Sequence, residues 1–195
     1  MPQAFGPDDL LACYRRGVFP MSDSREDEFF YLVEPKLRGI LPLNALHISK
    51  SMQKFRKKTA FRVTINHCFS DIIQACATNH DGTWISHSIE SLYNHLHAAG
   101  DAHSVEVWDG GILVGGLYGV TQGRAFFGES MFSRRTNASK MALIHLVEHM
   151  IERGFTLLDT QFLTDHLKSL GAIEIPQSEY LEKLKMALET NARFN

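Results

Sequence analysis

Apolar and polar positions along the chain change period several times, and each change marks an element. Leu10, Leu11 and Tyr14 recur at helical intervals behind Pro7, which suits a first helical position, and Gly17 follows. That spacing predicts a short helix over 7–17. Residues 18–46 carry Pro20, Pro35, Gly39 and Pro42 without a sustained period, which predicts loops and short strands. Ser49 stands where a helix cap belongs, and Met52 and Phe55 form the inner face of a helix over about 50–58. Phe61 to Ile65 alternates as a strand. Residues 69–78 and 86–99 return to the helical period, the second with Ile89, Leu92 and Leu96 as its stripe and Gly100 as its stop.

The period then falls to two. His103 to Trp108 alternates, Asp109-Gly110-Gly111 signals a turn, and Ile112 to Val120 returns as a second strand. Residues 124–128 predict a third strand. A long helix follows from about Asn137 to Arg153, with Leu143, Ile144, Val147, Met150 and Ile151 on one face and Gly154 beyond it. Thr156 to Leu163 predicts another strand, and about 164–170 and 178–189 predict two short helices. Antiparallel strands, a long helix, then a further strand and helix make a mixed α/β (α+β) layout, compatible with the acyltransferase core of the N-acetyltransferase (GNAT) superfamily. The change in texture near residue 45 divides the chain into a small N-terminal subdomain or arm, 1–45, and a main domain, 46–195.

Composition narrows the class. With 195 residues, 44% of them hydrophobic and 22% charged, the chain is of globular type. No apolar run approaches the roughly 20 residues of a membrane span, and Met1 to Pro7 does not read as a secretory signal. The cysteines, Cys13, Cys68 and Cys76, are odd in number and form no CxxC pair, which fits reduced thiols in the cytoplasm. Net charge is only −2, yet from His47 to Ser70 there is no acidic residue, while Lys50, Lys54, Arg56, Lys57 and Lys58 crowd one predicted helix. Such a cationic ridge is either a solvated face or a local grip on a polyanion.

Leu157 to Leu163 would suit a buried strand, yet it carries Asp159 and Gln161 two residues apart, on one face of that strand. Buried, both need partners. They form either a satisfied structural pair or a functional one. Glu129 follows the aromatic run Ala125-Phe126-Phe127, within Gly128 to Ser133, and would enter a cleft beside Asp159 if the two strands were neighbours. The string His145-Leu146-Val147-Glu148-His149 matches H-x-x-E-H, but its polar residues fall away from the apolar face of the long helix, which reads as a solvated face rather than a metal site. No nucleophile elbow, P-loop or dinucleotide fingerprint is present.

Ordered motifs give a more specific reading. They begin with Arg16-Gly17-Val18-Phe19-Pro20, Leu46 to Ser51, Gly82-Thr83-Trp84-Ile85 and His103 to Trp108. They continue through Gly115 to Val120, Gly128 to Ser133, Asn137-Ala138-Ser139-Lys140, Asp159-Thr160-Gln161 and Ser169 to Ala172. In that order, from about residue 8 to residue 188, the chain resembles the leucyl/phenylalanyl-tRNA–protein transferase family. It departs from many relatives at Phe30 to Pro35, where they carry paired tryptophans, and in a shorter N-terminus.

The resemblance implies a smaller N-terminal domain before an acyltransferase-like one. It implies transfer of Leu, Phe or less often Met from aminoacyl-tRNA to proteins beginning with Arg or Lys, a tag for N-degron degradation, with no metal and no cofactor. The catalytic group by resemblance is Asp159, Gln161 and Glu129: Gln161 aligns the attacking amine, Asp159 polarises it and helps remove its proton, and Glu129 orients the donor's amino group. Leu117, Phe126, Leu143, Leu146 and Leu158 match family positions around the donor's apolar side chain, and Trp84 is the candidate stack for the terminal adenosine. The ridge Lys50, Lys54, Arg56, Lys57 and Lys58 would hold the acceptor-stem phosphates. One rival is an acetyl-CoA-dependent enzyme of the same fold. It would hold pyrophosphate on a glycine-rich loop opening the long helix, whereas Phe132 to Lys140 contains no glycine. The other rival is a non-catalytic RNA-binding module, which gives no role to Asp159, Gln161 or Glu129.

Overall fold

A computed structural model describes residues 5–78 and 82–195. Met1 to Ala4, part of the N-terminal segment read for a signal, lie outside the described residues. The chain opens with α1 (Pro7–Arg15), whose N1 proline and first-turn Asp8 and Asp9 suit a helix N-terminus. A two-stranded ribbon, β1 (Phe19–Met21) with β2 (Tyr31–Val33), follows. Next come β3 (Leu37–Ile40), a 3-10 turn (Leu43–Ala45) and α2 (Lys50–Lys58), where the Ser49 hydroxyl accepts from the Met52 amide as predicted.

Beyond lie β4 (Phe61–Ile65), α3 (Phe69–Thr78), α4 (His87–Ala99), β5 (Ala102–Asp109), β6 (Ile112–Gln122) and β7 (Ala125–Ser133). The chain ends with α5 (Ala138–Glu152), β8 (Leu157–Gln161), α6 (Asp165–Ser169), β9 (Ile173–Pro176) and α7 (Gln177–Leu188). The hairpin turn at Gly110 and the left-handed stop at Gly100, φ 89°, fall where the sequence puts them.

Seven strands form one sheet in the order β4-β5-β6-β7-β8-β3-β9. Every pairing in it is antiparallel except β7 with β8. α3 and α4 cover one face of it beside α1, and α5 covers the other, so two apolar clusters sandwich the sheet. α5 buries Leu143, Ile144, Val147 and Met150 as predicted, whereas Ile151 is 56% exposed.

Three features depart from the sequence reading. β3, on the N-terminal side of the division expected at residue 45, is inserted between β8 and β9. β9 itself, Ile173-Glu174-Ile175-Pro176, is too short for its alternation to mark a strand. β7 runs on to Ser133 instead of ending at residue 128, because its second half keeps pairing with β6 after a one-residue bulge.

Candidate active site

Two bulges build the site. On β6 and β7, Gly119 lies opposite Gly128 and Tyr118 opposite Ser130, so Glu129 is the extra residue with no partner across the ladder. On β3 and β8, Gly39 faces Gln161 and Ile40 faces Asp159, leaving Thr160 as the extra residue. A bulge breaks alternation and re-aims a side chain. The parallel pairing of β7 and β8 ends at Phe127 with Asp159. Past that point a cavity of about 290 Å³ lies between the strands, lined on one side by Gly128, Glu129 and Ser130 and on the other by Leu158, Thr160 and Gln161.

Gln161 has φ 62°, and the Phe162 amide donates to the Thr160 carbonyl at 2.7 Å. That bond closes a γ-turn with Gln161 at its centre, a strained arrangement for a non-glycine residue. Gly39 makes room for it: a Cβ there would stand 2.7 Å from the Phe162 carbonyl carbon and from Thr160 Oγ1. The turn swings the Gln161 amide toward Glu129, and its Nε2 donates to Glu129 Oε2 at 2.9 Å.

Glu129 is buried among hydroxyls. Tyr14 Oη donates to Oε1 and Tyr93 Oη to Oε2, both at 2.7 Å, and the two hydroxyls lie 2.5 Å apart. Burial lifts Glu129 to about 7, opposed by the hydrogen bonds from Tyr14, Tyr93 and Gln161. Burial, then the charge of Glu129, pushes both phenols well above their ordinary value, so they stay neutral donors.

Asp159 is placed otherwise than strand alternation suggests. It is fully buried and does not line the cavity. Arg38 grips it twice, Nε to Oδ1 at 2.9 Å and Nη2 to Oδ2 at 2.7 Å. Tyr180 Oη donates to Oδ2 at 2.6 Å, and the Gln161 backbone amide donates to Oδ1 at 2.8 Å. Four donors occupy the carboxylate, which leaves it a scaffold for the turn at Gln161. Arg38 in turn donates Nη1 to the Gly17 carbonyl and lies between the rings of Phe19 and Tyr180, 4.6 Å from each centroid.

Among the expected apolar residues, Leu117, Leu143, Leu146 and Leu158 line the cavity, and Trp84 stands at it half-buried. Phe126 does not reach it. It is fully buried behind the wall, its ring 5.4 Å from that of Phe194 and tight against Gly119, where a Cβ would clash with it. Lys50, Lys54, Lys57 and Lys58 are exposed along α2, while Arg56 is turned onto Glu148 at 2.8 Å. The segment leading into α2 is tied beside α6, whose His166 and Leu167 line the cavity, by the His47 amide donating to the Leu170 carbonyl. His149 is engaged by the Phe194 carbonyl at 2.6 Å from Nε2, so the H-x-x-E-H string is divided between two unrelated contacts.

Sequence reasoning missed Arg38, Tyr14, Tyr93 and Tyr180. Their signals were a lone arginine among breakers and tyrosines at buried helical positions, legible only once a carboxylate is seen to need donors. No described helix is long and apolar enough to cross a membrane.

Fold and site together define a mixed α/β protein whose buried carboxylate–amide pair sits against an apolar cavity at the point where two parallel strands part. The crystal structure of FemX shares this fold, with a TM-score of 0.54 at 13% identity over 87% of this chain and 66% of that one. Residues 40–185 match the family model described as leucyl/phenylalanyl-tRNA protein transferase, and residues 4–35 match that of its N-terminal domain. The leucyl/phenylalanyl-tRNA–protein transferase of Hyphomonas neptunium is 53% identical over all of this chain and 77% of its own length. The protein of the same name from Caulobacter vibrioides NA1000 is 51% identical over all of this chain and 91% of its own. The chain belongs to the leucyl/phenylalanyl-tRNA protein transferase family.

Proposed function

We propose that this protein is an aminoacyltransferase that moves Leu or Phe, and less often Met, from aminoacyl-tRNA to the α-amino group of acceptors beginning with Arg or Lys, marking them for N-degron degradation in the cytoplasm. Its core is of the N-acetyltransferase kind, with the residues before β3 as a smaller N-terminal unit. One observation carries the reading: a carboxylate and an amide, hydrogen-bonded at 2.9 Å, line an apolar cavity of about 290 Å³. That is a place for an amino acid with an apolar side chain and a polar reacting end.

The donor is an ester and already activated, so the site needs to supply alignment and charge stabilisation. Leu117, Leu143, Leu146 and Leu158 take the donor side chain, and branching at its Cβ meets their packed wall. Glu129, ionised, accepts a hydrogen from the donor's α-ammonium. The acceptor's neutral amine attacks the ester carbonyl carbon. Its new C–N bond replaces the C–O bond to the ribose, one proton leaves the attacking nitrogen and one joins the departing 3′ oxygen. Gln161 aligns this encounter, and Asp159 acts through it by holding its backbone amide. Trp84 stacks the terminal adenine, and the exposed lysines of α2 hold acceptor-stem phosphates without reading sequence.

The deciding assay incubates the protein with labelled Leu-tRNA and a peptide starting with Arg, beside one starting with Ala. Label should enter the first peptide only. Equal labelling of both refutes the acceptor assignment, and labelling of neither refutes the reaction.

A further inference from the structure

Phe29, 82% exposed, is the most exposed large apolar side chain among the described residues, and Tyr31 and Phe162 stand open at 47% and 43%. Large apolar groups gathered on a surface mark a place where another molecule docks. This group belongs to the rim of the cavity. The Ser22 hydroxyl donates to the Phe29 carbonyl at 3.2 Å, and the Ser22 amide donates to the carbonyl of Trp84, which lines the cavity. At the other end of β1, Phe19 packs edge-on against Phe162, also a lining residue, with centroids 5.6 Å apart. The ribbon of β1 and β2 is thereby fixed to two residues of the cavity wall.

The segment joining the two strands is held in place and presents one sign of charge. The Asp27 carboxylate accepts from the amides of Asp23 and Ser24 at 2.8 and 2.7 Å, and the His87 amide donates to the Arg25 carbonyl. Arg25 is the segment's one cation. Its guanidinium donates to the Ile85 carbonyl at 3.0 Å and pairs with Glu90, so its charge is already matched. Asp23, Glu26 and Glu28 are exposed, and among the described residues none of them has a lysine or arginine within ion-pair reach. Asp23 adjoins the apolar group directly, accepting from the Tyr31 hydroxyl at 3.2 Å.

Aromatic rings bordered by three exposed carboxylates repel the phosphates of RNA, which the exposed lysines of α2 suit instead. They match the other macromolecule of the reaction, a polypeptide with a cation at its first residue. With its amine at Gln161, that polypeptide must leave the cavity over the rim. We propose that Phe29 and Tyr31, with Asp23, Glu26 and Glu28 around them, form a docking surface for the second to fifth residues of the acceptor. The surface favours acceptors whose basic first residue is followed by apolar or basic residues, and disfavours those followed by acidic ones. This rests on the reading of Arg- or Lys-initiated proteins as acceptors.

The test compares the unaltered protein with two double variants at exposed positions, Glu26→Lys with Glu28→Lys and Phe29→Ser with Tyr31→Ser. Three acceptors are offered with labelled Leu-tRNA: argininamide, a peptide beginning Arg-Phe-Lys-Phe and one beginning Arg-Asp-Glu-Asp. The readouts are kcat and KM for each acceptor, KM for Leu-tRNA, and sedimentation velocity. The unaltered protein should use the Phe-Lys peptide on the order of tenfold better than the Asp-Glu peptide, through KM, and the gap should narrow as salt is raised. The charge-reversed variant should lose or invert that preference. The Phe29→Ser, Tyr31→Ser variant should raise KM for the Phe-Lys peptide and leave its kcat in place. Both effects should be far smaller with argininamide, which has nothing beyond its first residue, and KM for Leu-tRNA should not rise. No preference in the unaltered protein, equal losses with argininamide and peptide, or a raised KM for Leu-tRNA each overturn the inference while the acceptor reading stands. So does a change in sedimentation with peptide KM unmoved, which gives the surface to a second copy of the chain. Label in none of the acceptors overturns the acceptor reading and this inference together.

Discussion

At the scale of single residues, the proposed chemistry rests on two carboxylates in opposite environments. Asp159 lies within a ring of donors that includes a guanidinium, and Glu129 sits among neutral hydroxyls and an amide. Asp159→Asn leaves Arg38 as a buried charge without its partner, which should lower unfolding stability by about 3–5 kcal/mol in urea titrations. It should also slow transfer while leaving tRNA affinity nearly unchanged, because the loosened group is the turn at Gln161 and not the lysine ridge.

Glu129 makes a pH prediction. Its ordinary value is 4.5 and its folded value about 7. Between those pH values the unfolded chain sheds a proton that the folded protein keeps. The group therefore tips the balance against folding as pH rises through that window, by an amount on the order of 3 kcal/mol, and adds nothing more above it. Glu129→Gln should flatten the stability curve between pH 5 and 7 and end more stable than the parent at pH 8. Its kcat/KM should fall and lose the rise near pH 7 that marks ionisation of the carboxyl. A rise that persists unchanged in the variant assigns it to the acceptor amine instead, whose ordinary value of about 7.7–8.0 lies close by.

At the scale of elements, short irregularities do what regular strands cannot. The bulges at Glu129 and Thr160 and the γ-turn at Gln161 turn three side chains toward one cavity. Gly39→Ala should therefore cost activity well beyond its effect on melting, since the added methyl displaces the Phe162 backbone and the Thr160 hydroxyl. On the proposed reading, the helix α2 acts through charge alone. Replacing Lys50, Lys54 and Lys57 together by Gln should weaken tRNA binding, and should shallow the dependence of log Kd on log salt by roughly 2–3 units if all three contact phosphate. An unchanged slope removes the ridge from the interface.

At the scale of the whole molecule, the N-terminal segment is part of the site's support. Tyr14 of α1 bonds Glu129, the Gly17 carbonyl accepts from Arg38, and Phe19 stacks on Arg38. From the far end of the chain, Tyr180 of α7 closes the same network. A chain lacking residues 1–35 should consequently lose transfer completely and show reduced cooperativity in thermal unfolding. Tyr14→Phe alone removes a hydrogen bond that holds Glu129 down, so it should move the rise of the pH–kcat/KM profile to higher pH.

Much was legible without coordinates. Helical stripes, Ser49 as a cap, Gly100 as a stop and the hairpin at Gly110 are local signals, because capping bonds and backbone conformations reach only a few residues along the chain. Ordered motifs named the family and picked out Glu129 and Gln161, both of which line the cavity. Tertiary structure alone decided the rest. That Arg38, 121 residues away, neutralises Asp159, that β3 enters the middle of the sheet, and that Phe126 lies behind the cavity wall are facts of long-range pairing. A one-residue bulge reverses which face a side chain takes, and nothing in the alternation of neighbouring residues announces where it falls.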